Sequence, residues 1–431
     1  MLKNSKRIFG LVIAAFLYLA VCSVSFAMQP IDREVLDVQD LLERKKVLFN
    51  EDLPKRRGIK VANDKAIIHA AARVEQQVDS NVFYVNSSTS TDYITILSPS
   101  LGVEVPFGPH RMSIDYEASK YIFSVYHLEN HLDHRFRSLV DIRVSDVHFT
   151  IKDTFMVFTD RSGEEESLKL KHANNILRIG AEAKLNKLKY DIGYSNILET
   201  YLSQDLYLGN LTYEDRDRMT HQVDATIYYR FMPKTDVVIE NNLGLIEYYN
   251  SSQVPGSWYN ETLVGFKGAW FARMTLDFRA GARYEQYQNS QAFSHKNYLG
   301  PVAKGGFQYT LNGNNIFNLS LQKAMYESIY ANINYFEANL AGVDYLHKFN
   351  EKISGKLSGT YQFHSYPCAT TENGVTAKRY DNFYTAGASL RYDMHRWFSI
   401  NMGYQYARKV SRFDIFNYLD NLFYLKGTMG F

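Results

Sequence analysis

Cysteine is nearly missing from this chain of 431 residues, which holds only Cys22 and Cys368. Cys22 falls in an N-terminal leader, so no intramolecular disulfide is expected in the mature chain. Proline is sparse, at 9 residues. Charge of either sign is not in excess: 48 Lys and Arg face 46 Asp and Glu, for a formal charge of +2. That balance speaks against a nucleic-acid partner, which calls for a basic surface. Beyond the leader, no apolar run is long enough for a transmembrane helix. No Gly-x-Ser-x-Gly elbow and no motif of a barrel phospholipase or protease is present, so an enzyme is not expected. Nothing calls for a cofactor.

Aromatic residues are abundant instead, with 33 Tyr and 27 Phe, yet the mean hydropathy is only −0.31. A helical membrane protein would be far more hydrophobic. A transmembrane barrel hides its apolar face by alternation and averages to a soluble-looking value. Residues 1–27 read as a secretory signal peptide. Lys3, Lys6 and Arg7 form its basic region, Ile8 to Ala20 its apolar core, and Ser25-Phe26-Ala27 its cleavage site. The protein is thus expected to be exported, and strands must do any membrane crossing. Residues 28–64 are rich in charge and poor in aromatics. Ile31, Val35, Val38 and Leu42 recur at helical spacing, with acids early and Arg44-Lys45-Lys46 late. This predicts a short amphipathic helix in an N-terminal periplasmic arm, with a loosely ordered arm or a pore plug as alternatives.

The last fifteen residues set the pattern for the rest. Phe431, Met429, Gly427, Leu425 and Phe423 alternate with the more polar Gly430, Thr428, Lys426, Tyr424 and Leu422. Period two means a strand with one apolar face. A soluble domain seldom ends on an exposed apolar strand, because its edge invites aggregation. In a closed barrel the strand is paired on both sides and its apolar face meets lipid. This ending resembles the terminal strand of bacterial outer-membrane barrels. The resemblance implies that Phe431 is an assembly signal and that the barrel assembly machinery is a partner, alongside outer-membrane lipid and lipopolysaccharide.

The same alternation recurs through residues 65–431. Met274, Leu276, Phe278, Ala280 and Ala282 oppose Arg273, Thr275, Asp277, Arg279 and Arg283. Ile353, Leu357, Tyr361 and Phe363 oppose Lys352, Lys356, Ser358, Thr360 and Gln362. The expected fold is all-β: a transmembrane antiparallel up-and-down barrel of about eighteen strands. The runs at 147–159 and 235–249 alternate poorly. Short connections, such as Asn186-Lys187, Pro233-Lys234 and His395-Arg396, alternate with long ones at 79–91, 160–173, 201–218, 287–296 and 367–378. In outer-membrane barrels the short turns are periplasmic, which would put both termini in the periplasm of a Gram-negative bacterium. Trp258, Trp270 and Trp397 all fall at strand ends, where membrane interfaces are expected.

Three segments carry a family resemblance. They are Asp79-Ser80-Asn81-Val82-Phe83, Asp92 to Pro99 with its Leu-Ser-Pro ending, and Val105-Pro106-Phe107-Gly108-Pro109-His110-Arg111 followed by Ile114-Asp115-Tyr116. They resemble the opening strands of an outer-membrane β-barrel porin family associated with exopolysaccharide synthesis and export genes. The resemblance implies a channel for exopolysaccharide export, with polysaccharide export proteins as partners. A general diffusion porin for small hydrophilic solutes, or a closed structural barrel, are the alternatives. It supplies no catalytic residues.

Candidate sites are few. His127, Glu129, His131, Asp133 and His134 lie within eight residues, but they join two strands, and no metal site is expected there. Gly163 and Glu164 to Glu166 read as a solvated acidic loop. The lumen is the informative surface. Arg273, Arg279, Arg283, Lys352, Lys356 and Arg391 are the basic side chains expected to line it and to favour anions.

Overall fold

The computed structural model describes residues 58–61, 65–161, 165, 169–202, 206–208, 211–249, 254–271, 273–288, 297–328, 330 and 333–431. Eighteen long strands follow one another: β1 (Ala66–Asp79), β2 (Asp92–Phe107), β3 (His110–Phe123), β4 (His131–Val144), β5 (Val147–Arg161), β6 (Lys169–Leu185), β7 (Leu188–Tyr201), β8 (Arg218–Met232), β9 (Thr235–Tyr248), β10 (Ser257–Phe271), β11 (Met274–Tyr287), β12 (Tyr298–Asn312), β13 (Asn315–Glu327), β14 (Tyr335–Lys348), β15 (Ile353–Glu372), β16 (Val375–His395), β17 (Phe398–Ser411) and β18 (Tyr418–Gly430). Each is antiparallel to the next, and β18 closes on β1 from Ala71 opposite Gly430 to Asp79 opposite Leu422. Closure pairs each of the eighteen long strands on both sides, as a membrane interior requires of backbone donors and acceptors. The poorly alternating runs at β5 and β9 are full strands all the same, because pairing on both sides fixes them.

The facing follows the alternation. On β18, Phe423, Leu425 and Met429 are exposed, whereas Asp420 and Thr428 on the opposite face are only 4% and 3% exposed. On β11, Phe278 is 41% exposed outside and Arg279 8% inside. Trp258 is exposed near one end of the barrel, Trp270 and Trp397 near the other.

Short turns cluster at one end and longer connections at the other. Gly108, Ser145 and Asn186 take left-handed φ of 66°, 52° and 54° in three of the tight turns. The expected long loop at 367–378 is not one. Strands β15 and β16, 20 and 21 residues long, rise past their neighbours and meet at Asn373-Gly374. Both residues have positive φ, 48° and 78°, which suits a two-residue hairpin turn. The Asn-Gly pair was the sequence signal for it.

The helix expected within 28–64 falls outside the described residues. At the end of that arm, Ile59–Val61 forms a short strand against Ala66–Ile68 of β1.

Two of the three segments behind the family resemblance fasten the long-loop end, while Val105 to Arg111 makes the tight turn at Gly108. The Asn81 side chain, fully buried, donates to the carbonyls of Val85 (2.8 Å) and Leu419 (2.9 Å), tying the first loop to β18. Asp92 accepts backbone N–H bonds from Ser124, Val125 and Tyr126 at 3.0, 3.0 and 2.8 Å. One carboxylate therefore holds the β3–β4 connection against the start of β2.

Candidate channel lumen

Inward side chains from β1 to β13, with Thr428 of β18, line a cavity of about 1710 Å³. Lys and Arg slightly outnumber Asp and Glu on its wall. Two of the six predicted bases lie on it, Arg279 and Arg283, and both are tightly held. Arg279 reaches Asp277 on its own strand at 2.9 Å and Glu240 of β9. Glu240 also takes the Lys304 ammonium at 2.9 Å, and Lys267 meets Asp277 at 3.0 Å. Arg283 donates to Glu285 at 2.5 Å, lies 3.9 Å from Glu261, and sits 3.9 Å over the Tyr259 ring. These arginines brace neighbouring strands.

The other predicted bases are placed elsewhere. Arg273 sits in the turn between β10 and β11, exposed, with Nη1 donating to the Leu311 carbonyl at 2.5 Å. Lys352 is exposed in the turn before β15. Lys356 and Arg391 face opposite to the exposed Leu357 and Leu390, and pair with Asp344 (3.3 Å) and Asp393 (2.9 Å). Neither is among the side chains lining the cavity. Phe431 ends the chain at the short-turn rim. Its N–H donates to Ala70 at 2.9 Å and its ring stacks on Trp397, with centroids 6.4 Å apart.

The pairing has a consequence for stability. Arg279→Gln leaves the nearly buried Glu240 carboxylate with Lys304 and the Asn242 amide but without its guanidinium partner, so it is expected to destabilise by about 3 kcal/mol although it faces water. Adding Glu240→Gln should recover most of that loss, as read by urea unfolding of the folded barrel. An equally destabilised double variant would mean that the pair is not what costs.

The histidine-rich segment goes to different tasks. His127 Nδ1 bonds to the Phe123 carbonyl, His131 Nδ1 to the Glu129 carbonyl, and His134 Nδ1 to the Tyr116 hydroxyl. Among the described residues no group of His, Cys, Asp or Glu side chains gathers as a metal site.

Sequence patterns did not reveal the cluster that covers part of the long-loop end. Arg379, on the upper part of β16, is fully buried and paired with Asp381 at 2.8 Å. Its guanidinium packs on Phe416, Tyr330 and Tyr366, with the ring centres at 3.8, 4.2 and 5.0 Å. Its Nη2 donates to the Glu165 carbonyl at 2.8 Å, and the Glu165 carboxylate accepts from Ser328 at 2.8 Å. Glu165 is thus buried where a solvated acidic loop was expected. Tyr330, Ile333, Phe336 and Tyr366 form an apolar cluster beside it. Arg379→Ala would remove this cation between three rings and leave Asp381 with Lys409 and Ser411. Limited proteolysis should then cut the long connections about tenfold faster, corresponding to ~1.4 kcal/mol of easier local opening.

Asp217, at the end of a single 310 turn before β8, is 6% exposed. Burial, with Glu214 and Asp215 nearby, raises its carboxyl to about 8. A folded-state value above the unfolded one means that this group favours the folded form at low pH. That contribution is lost as pH rises through about 8. The Tyr249 N–H, bonded to the Asp217 carbonyl at 2.8 Å, reports the change. Its hydrogen exchange should accelerate from mildly acidic pH up to about 8 beyond the intrinsic base-catalysed rise, with no further excess above that, and Asp217→Asn should abolish the excess.

Residues 65–430 match the family described as "Putative beta-barrel porin 2". No curated protein matches the sequence. Among solved structures, OpdK from Pseudomonas aeruginosa is 14% identical with a TM-score of 0.47, covering 85% of this chain and 98% of that one. OccAB3 from Acinetobacter baumannii is 8% identical with a TM-score of 0.46, covering 86% and 100%. The FrpB iron transporter from Neisseria meningitidis is 11% identical with a TM-score of 0.45, covering 83% and 63%. None of the three bears on what this barrel passes. The family match spans nearly the whole barrel, and its fold is that of a channel rather than an enzyme: the chain belongs to this porin family and is an outer-membrane, porin-like β-barrel channel.

Proposed function

We propose that the chain is a diffusion channel for small hydrophilic solutes, with its short-turn end and both termini in the periplasm. The observation that carries this is the pairing of an apolar outer face with a cavity walled by charged side chains of both signs. Such a wall offers a solute replacements for its water of hydration without one sign dominating the path. The export of exopolysaccharide implied by the sequence resemblance is set aside. The family match carries no link to polymer secretion, and the packed cluster around Arg379 suits a small solute better than a chain.

Liposome swelling tests the proposal. Proteoliposomes holding the folded barrel should swell in small neutral sugars and amino acids, with rates that fall steeply as solute size increases. Swelling no faster than in protein-free liposomes for every solute would overturn it.

A further inference from the structure

We propose that the wall made by β3, β4 and β5 is a binding site for the anionic group of a small solute, with Arg137 as the side chain that meets it. This deepens the channel reading and rests on it for the route by which the solute arrives. Most bases across the lumen are matched by acids. Arg279 lies between Asp277 and Glu240, and Arg178 between Asp224 and Asp191. Arg137 departs from that rule. It lies near the middle of β4, on the cavity wall, with Thr154 opposite on β5 and Asp115 opposite on β3.

Asp115 is the carboxylate that the register offers, but it leans the other way. Its Oδ1 occupies the space over Gly102 of β2 that a side chain there would fill. Among the described residues Asp115 forms no ion pair with Arg137. The neighbouring position is also rich in positive charge. Arg135, two residues along the same face, shares one Glu117 oxygen with Arg73 of β1, at 3.7 and 3.5 Å. A single carboxylate thus serves two guanidinium groups. Lys152 of β5, level with the next inward position of β4, adds another positive charge.

The result is a local surplus of positive charge at mid-barrel, with one guanidinium fork left to the lumen. Such a fork fits the two oxygens of a carboxylate or phosphate. Beside a narrow path its field is screened less than at an external loop, where it fades within about 8 Å.

Calorimetry on the folded barrel in detergent, with benzoate, phenyl phosphate and neutral benzamide as probes, tests the site without requiring conductance. At least one anion should bind, and benzamide should bind at least tenfold more weakly. Arg137→Gln should weaken anion binding about tenfold, and Arg137→Lys should retain part of it, because charge remains while the fork is lost. Stronger binding of benzoate would identify a carboxylate site, and of phenyl phosphate a phosphomonoester site. Heat-modifiable migration on a gel confirms that each variant is folded, and the Lys variant serves if the Gln variant is not. No binding of either anion, equal binding of benzamide, or anion binding unchanged by loss of Arg137 would each overturn the proposal. A barrel that binds anions but fails to swell liposomes would instead overturn the channel reading alone.

Discussion

Deleting Phe431, or replacing it with Asp, is expected to cost most of the folded yield of this barrel. The terminal residue does two things at once. Its N–H closes the last rung against Ala70 of β1, and its ring lies on Trp397 at the short-turn rim. Pairing between β18 and β1 turns a long sheet into a closed barrel, and an unclosed sheet in lipid exposes unpaired backbone groups. An Asp there would also place a charge at the apolar rim. Heat-modifiable migration and folded yield in the membrane fraction measure the loss. A normal folded yield for both variants would show that neither recognition nor closure depends on this residue.

Phe278→Arg is the second large effect. Phe278 faces out between Phe266 of β10 and Gly305 of β12, where the bare glycine leaves room for its ring. Arginine on a lipid-facing site costs on the order of 2–4 kcal/mol near the bilayer midplane. The comparison that proves the facing is with Ala280→Arg, two residues along the same face, which should be similarly harmful, and with Thr275→Arg on the inward face, which should be tolerated. Harm at Thr275 with tolerance at Phe278 and Ala280, read by urea unfolding in lipid vesicles, would mean that the strand is out of register by one. A slip of one residue exchanges the two faces.

The barrel itself was largely legible in the sequence. Strand alternation depends on each residue and its neighbours two positions away, so β11 and β18 can be read from their own composition. The Trp positions and tight turns are local in the same way. The charge chemistry of the lumen was not legible, because ion pairing depends on which distant strands become neighbours across the cavity. Arg279 meets Glu240, 39 residues away, and its apparent role as a free lumen charge disappears with that contact. Arg73 and Arg135 share a carboxylate on β3, which no local pattern announces. The Arg379 cluster joins Glu165, Tyr330, Tyr366 and Phe416 from four separate stretches of chain. The resemblance segments were recognisable as marks of the opening strands, but the task of Asn81 and Asp92 in tying loops to β18 and β2 needed the closed barrel to be seen.

Planar-bilayer recording on the purified, refolded chain tests the central claim most directly. A hydrated path through a closed barrel should give discrete conductance steps in salt solution, stable over time. Those steps should scale with bulk conductivity at high salt, where fixed lumen charges are screened. Protein shown to be folded by heat-modifiable migration, yet giving no conductance above that of the bare bilayer, would contradict the diffusion channel and leave a closed structural barrel.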